Sequence, residues 1–137
     1  MGERGARSDP APVISYEAFK VAHLLAVLVL FAVLGGVAVH AMNGGTRQGN
    51  AARRIVALLH GSALLVALVA GMGLVARLDL ASGGFPLWVY GKLIIWAAAA
   101  LLLGLPYRRP ALARPILLVG LPMLAVLAAW LAVYKPD

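Results

Sequence analysis

Three histidines and one lysine interrupt stretches of sequence that are otherwise apolar. His23 and His40 fall in the run from Val21 to Ala41, His60 in the run from Ile55 to Ala76, and Lys92 in the run from Leu87 to Leu105. An imidazole or ammonium group inside an apolar run is costly to bury and persists only with a partner or a task, which makes each of the four a candidate for coordination, proton transfer or anion binding. Other chemistry is thin. The chain has no cysteine, which excludes thiolate metal sites, disulfides and Cys nucleophiles. Its five acids are Glu3, Asp9, Glu17, Asp79 and Asp137, all at the edges of the runs or outside them. A carboxylate-based proton relay or ion site therefore has nothing to stand on. Neither an HExxH pair, nor a Ser/His/Asp set with an embedded acid, nor a phosphate-binding glycine loop is present.

Each candidate also has an ordinary structural account. Lys92 has Trp88 one turn before it and Trp96 one turn after it. It lies roughly 8 Å inside its run at 1.5 Å per residue, so it either snorkels along the indoles to the interface or acts as a functional cation. His23 is about one turn inside its helix, where a local structural role competes with ligation. His40 stands at a helix end, suited to capping or solvation. His60 is deepest, and either bonds a backbone carbonyl or a hydroxyl across the bundle or serves as a ligand. A bis-histidine haem needs two imidazoles at one depth. His23 and His60 are expected about 15 Å apart along the membrane normal, so they do not share an iron. His40 and His60 belong to the same half. His23 and His40 are separated by about 100° around their helix and do not build stacked sites. A single axial histidine with Lys92 is geometrically easier for His23, since both lie near the same end.

The faces of the helices add packing information. At about 100° per residue, Ala63, Ala67 and Gly71 all fall within about 60° of His60. Small residues four apart let helix backbones approach closely where packing drives association, so this ladder, and His60 with it, should face the interior. Pro122 cannot donate a backbone hydrogen bond and should kink the last helix near its middle.

The elements that carry these residues follow from the runs. The chain has 137 residues, 63% hydrophobic and 12% charged, against about 45–50% and about 25% for soluble domains. Four apolar runs predict an all-α integral membrane protein with transmembrane helices over about 18–41, 52–77, 86–105 and 111–134, each near the ~20 residues needed to cross a bilayer. Short connections at Asn43 to Asn50, Asp79 to Pro86 and Pro106 to Pro110 place consecutive helices antiparallel, as a four-transmembrane-helix up-down-up-down bundle with both termini on one side. Residues 1–15 read as a disordered polar tail and 16–137 as one transmembrane domain. The run after Lys20 is too long for a signal-peptide core of roughly 7–15 residues and is read as retained.

The net charge is +7. The basic residues sit at the ends of apolar runs with no polar face to display them, so they set membrane topology and nucleic acid is not an expected partner. Arg47, Arg53, Arg54, Arg108, Arg109 and Arg114 flank loops one and three, against Arg4, Arg7, Lys20, Arg77 and Lys135 on the terminal side. This favours loops one and three in the cytoplasm and the termini outside. Tyr16, Phe19, Phe85, Trp88, Tyr90, Trp130 and Tyr134 cluster toward the terminal side, with Tyr107 at the other, as interfacial aromatic residues do.

Lys20, Val21, Ala22 and His23 in the first helix, His60 with Leu64, Leu65 and Gly71 in the second, and Trp88 to Lys92 in the third carry a resemblance. The chain resembles small four-span bacterial membrane proteins of the SirB-like family and, more distantly, the HemJ-like and CopD-like families, over most of residues 16–105. In HemJ-like proteins a first-helix histidine and a third-helix lysine serve haem and porphyrin chemistry, and His23 and Lys92 match those positions. The chain departs from that pattern after the first helix, where Leu34-Gly35-Gly36-Val37 and His40 stand in place of a Trp/Arg/Pro-rich stretch with Tyr-His. It departs from the SirB-like pattern at Gly61-Ser62-Ala63, where an aspartate is usual. The resemblance implies a bacterial inner-membrane location. The leading functional expectation is a non-enzymatic accessory or assembly component of a membrane complex, whose partners are the bilayer and either other subunits or further copies of itself. The alternative is a haem- or porphyrin-binding membrane redox protein using His23 with Lys92, or His60. A small-solute or metal permease ranks last, for want of embedded carboxylates.

Overall fold

The computed structural model describes residues 14–80 and 83–136. Most of the expected polar tail, residues 1–13, lies outside them. Helix α1 (Tyr16–Met42) begins where the Ser15 hydroxyl accepts a hydrogen bond from the Ala18 amide at 3.1 Å, an N-cap that satisfies one of the orphan donors of the first turn. It ends in a Schellman turn. Gly44 takes φ +78°, its amide donates to Ala41, and the Gly45 amide donates to His40 at 2.9 Å, so glycine occupies the one position where a side chain would be strained.

Helix α2 (Arg53–Arg77) is preceded by an Asn50 side chain that accepts from the Ala52 amide. It closes with a second Schellman turn, this time with Asp79 in the left-handed position. The Asp79 and Leu80 amides donate to Ala76 and Val75. Leu80 packs on the Val75–Trp88–Val89 cluster, the apolar contact that accompanies this motif.

The third and fourth runs are less regular than the apolar pattern predicts. Helix α3 (Leu87–Leu102) stops short of residue 105, and a separate turn, Leu105–Arg108, follows it. The cause is Pro106, which has no N–H to give the Leu102 carbonyl and whose ring crowds it. The last span, Pro110–Tyr134, is composite. A 3-10 turn (Pro110–Leu112), one α turn (Ala113–Pro115) and a π turn (Ile116–Gly120) precede a regular α-helical stretch, Leu121–Tyr134. In the π turn the Leu121 amide reaches back five residues to Ile116. Pro122 was expected to kink the helix. The wider turn immediately precedes it, where the Leu118 carbonyl has no amide at Pro122 to accept from.

Three helices, Tyr16–Met42, Arg53–Arg77 and Pro110–Tyr134, are long and apolar enough to cross a membrane; α3 is apolar but shorter. Neighbours are antiparallel and follow chain order around the bundle. Helices α1 and α2 form the most extensive pair, α3 packs on α2 and on the last span, and the last span returns to α1. Half of the buried hydrophobic residues among those described are alanines. Ala26, Leu30, Ala63 and Ala67 close the α1–α2 seam, and Gly73 sits under the Phe19 ring so closely that even a methyl group would displace it.

A candidate ligand cleft

Three cross-helix hydrogen bonds position the polar side chains, and all three have the same form: a ring N–H donates to a main-chain carbonyl of the neighbouring helix. His23 of α1 donates through Nδ1 to Ala67 of α2 at 2.8 Å. Trp96 of α3 donates through Nε1 to Leu64 of α2 at 2.9 Å. His60 of α2 donates through Nε2 to Ala99 of α3 at 3.1 Å. A carbonyl only accepts, so the facing ring nitrogen carries the proton and the tautomer of each neutral imidazole is set. The accepting carbonyls have a second lone pair to offer in addition to their helical bond.

For His23 the consequence is functional. With Nδ1 tied to α2, the neutral ring presents the lone pair of Nε2. Among the described residues Nε2 has no hydrogen-bond partner and no buried side-chain nitrogen or oxygen is left without one, so Nε2 is open where the ring lines two adjoining cavities. Gly71 makes the seat. A Cβ there would lie 3.3 Å from both Nδ1 and Cε1 of His23, tighter than ordinary contact, so the small residue lets the imidazole edge rest on α2 within reach of the Ala67 carbonyl. The expected ladder exists as a buried face holding His60, Ala63 and Ala67, but the imidazole at its Gly71 end comes from α1.

The two cavities have volumes of about 470 and 650 Å³ and share His23, Leu24, Ala67, Lys92, Trp96 and Ala132. Both are within the range of ligand sites, about 300–1,000 Å³. The larger runs between α1, α3 and the last span, with walls that include Phe31, Leu121, Pro122 and Ala125. The smaller opens toward the ends of the helices, where Tyr16, Lys20, Trp88 and Lys135 join the lining. The Lys92 ammonium lies 5.1 Å from the centre of the Trp88 ring and that of Lys135 lies 5.8 Å from it. Lys92 thus directs its charge toward the terminal end while its stem stays in the cleft.

The structure brings His23 and Lys92 to one cleft and leaves His60 elsewhere. His60 is 4% exposed, lines neither cavity and bonds the α2–α3 seam. The Ala67 carbonyl that receives His23 is about 10 Å along α2 from His60 at 1.5 Å per residue, a smaller separation than the 15 Å expected from the sequence. His40 is outside the cleft too. Its Nε2–H donates to Thr46 at 3.1 Å and its ring meets Tyr107 edge-on at 6.1 Å, while Asn50 donates to the Tyr107 hydroxyl at 2.9 Å. Pro122 lines the larger cavity. In the sequence Trp96 figures only as a flank of Lys92, and Lys20 and Lys135 only in topology and resemblance, none of them as a site residue. For Trp96 a signal existed, since a buried indole N–H needs an acceptor. For the two lysines only the folded arrangement brings them together.

No protein-family model, curated protein or solved structure matches the chain.

Proposed function

We propose that the chain is a four-span integral membrane protein of the bacterial inner membrane that binds a haem or porphyrin in the cleft between α1, α3 and the last span. The observation that carries the reading is the open Nε2 of His23, whose opposite nitrogen is tied to a main-chain carbonyl. This is the outer-shell arrangement that orients a metal-ligating histidine and raises its basicity. The apolar walls suit a macrocycle, and Lys92, Lys20 and Lys135 at the mouth suit its carboxylates. Bound there, a haem would supply one-electron chemistry. His23 would hold the iron, the apolar walls would exclude water and the lysines would fix orientation. The match of His23 and Lys92 to the HemJ-like positions supports the same reading.

In this proposal α3 completes its crossing with the Leu105–Arg108 turn, since Leu87 to Arg108 span about 33 Å at 1.5 Å per residue. That is enough for a ~30 Å hydrocarbon core. Arg47, Arg53, Arg54, Arg108, Arg109 and Arg114 face the cytoplasm and the termini lie outside. The test is the absorption spectrum of the full chain purified from membranes of cells supplied with haem precursors. A Soret band lost in His23→Ala, weakened in Lys92→Ala and kept in His60→Ala is expected; absence of a Soret band in the wild-type chain overturns the reading.

A second reading, an accessory or assembly subunit of a membrane complex, is favoured by the last span. Only Ala113 and Leu121 are buried along it, so most of its surface is left for a partner helix, whether from another subunit or a second copy. Stable co-purification of a membrane partner in fixed ratio supports this reading, and a chain that migrates alone and monodisperse in mild detergent counts against it.

A further inference from the structure

The smaller cavity is more than an entrance for a cofactor. Its cations come from three separate elements: Lys20 from α1, Lys92 from α3, and Lys135 from beyond the last span. Lys135 is held in the left-handed conformation at φ +45°, a backbone form that a non-glycine residue adopts at a cost. From there its ammonium reaches the same indole that Lys92 approaches. Among the described residues no acidic side chain lines this cavity. The indole attracts both ammonium groups, yet it neutralises neither, so the mouth keeps its positive charge. Directly below, the lining becomes apolar and continues into the larger cavity past Leu28, Phe31, Leu121 and Ala125.

A cationic mouth on an apolar cleft fits a ligand with one anionic head and a hydrocarbon body. We propose that this site binds an anionic phospholipid, its phosphodiester held by Lys20, Lys92 and Lys135 and one acyl chain lying in the cleft between α1 and the last span. A free phosphate would leave the apolar cavity unused, and a zwitterionic lipid would bring its own cation to the lysines. The lysines stand at the start of α1, near the start of α3 and past the end of the last span, all at one end of the bundle, with Tyr16 and Trp88 beside them. That is the level at which headgroups and aromatic residues meet. The lipid would occupy the same lysines and the same cleft as the haem, so the two ligands exclude one another there; the proposal goes beyond the haem reading and does not need His23 as a ligand.

The test uses the full chain carrying Trp130→Phe, so that the remaining indoles, Trp88 and Trp96, both line the cleft. The chain is placed in phosphatidylcholine nanodiscs without haem. Lipid with brominated acyl chains, either phosphatidylglycerol or phosphatidylcholine, is then titrated in and tryptophan quenching is read. Half-quenching by brominated phosphatidylglycerol is expected at a mole fraction at least roughly tenfold lower than by brominated phosphatidylcholine. Each of Lys20→Met, Lys92→Met and Lys135→Met should erode that preference by roughly fivefold, from the ~1 kcal/mol a lysine near an anionic headgroup contributes. Ala128→Phe, which fills the cleft without touching the charges, should weaken quenching by the anionic lipid, and His23→Leu should leave the preference in place. Equal half-quenching by the two lipids in the Trp130→Phe chain with all three lysines intact overturns the proposal, whether or not any lysine variant folds. So does a preference that survives the triple methionine variant. A chain that shows the lipid preference and no Soret band separates this site from the haem reading, and a Soret band without the preference does the reverse.

Discussion

Gly71→Ala separates what holds the bundle together from what aims His23. The added methyl carbon would lie 3.3 Å from Nδ1 and Cε1 of the imidazole, so the ring must give by a few tenths of an ångström. The 2.8 Å bond from Nδ1–H to the Ala67 carbonyl is lengthened or bent as a result. A hydrogen bond of this kind contributes a net ~0.5–1.5 kcal/mol to stability. Against that loss, alanine is better than glycine inside a helix by about 0.8–1.0 kcal/mol. The two effects oppose and are of similar size, so unfolding stability should change by less than about 1 kcal/mol. Ligand affinity has no such offset. The outer-shell partner of a ligating histidine is worth about 10–100-fold in affinity, so haem binding should weaken roughly tenfold in Gly71→Ala. In Gly71→Val, whose branches cannot avoid the ring, binding should weaken about a hundredfold, near the top of that range. Haem titration followed at the Soret band gives the affinity, and denaturant unfolding of the same samples gives the stability. If Gly71→Ala binds haem as the wild type does, the seat at Gly71 does not aim the imidazole. If its stability falls by several kcal/mol with affinity, the small residue serves packing alone.

Three further expectations concern the tethers and the last span. His60→Leu should cost about 0.5–1.5 kcal/mol by loss of the bond to Ala99, read by unfolding, while the haem spectrum stays that of the wild type. Trp96→Phe should cost a similar amount by releasing Leu64, and it should also reduce quenching in the lipid titration, because Trp96 is one of the reporters in the cleft wall. Pro122→Ala restores a donor for the Leu118 carbonyl, so the π turn should relax to an α turn. The expected gain is roughly 1 kcal/mol or more in stability, given the ~3 kcal/mol cost of an interior proline, together with weaker ligand binding as the cleft wall moves. Unchanged amide exchange protection around Ile116 to Gly120 would show that the proline does not cause the turn.

Much of the helical framework was readable from residue type alone. Hydrophobic runs of about 20 residues, with Asn, Gly and Pro between them, leave few alternatives to helices joined by short turns. The polar turns that end α1 and α2 were legible at Asn43-Gly44-Gly45 and from Asp79 onward; that Asp79 itself takes the left-handed position was not, because aspartate is an infrequent occupant of that conformation. The end of α3 at Leu102 went unread because the run stays apolar through Leu105, and the signal lay four residues on, in the missing N–H of Pro106. The π turn has no signature in Ile116 to Gly120 themselves. The ladder on α2 was legible as a face, since the helical period fixes it. That Gly71 seats a histidine from α1 depends on the relative height of two helices, a relation that no single-helix period contains. The lysine mouth depends on three helix ends meeting, and Lys135 is far from Lys20 in sequence.

The receiving end of each cross-helix tether is a backbone carbonyl, at Ala67, Leu64 and Ala99. Such an acceptor is present whatever side chain the residue carries, so mutation on the receiving helix cannot delete it; it can only block the approach. Selection on the receiving side is therefore selection on bulk, while selection on the donating side is for a specific ring. Under drift, His23, His60 and Trp96 should change rarely and as whole-ring losses. Ala67, Gly71 and Ala99 should exchange freely among small residues, and each pair should show little of the reciprocal substitution by which touching side chains usually reveal each other.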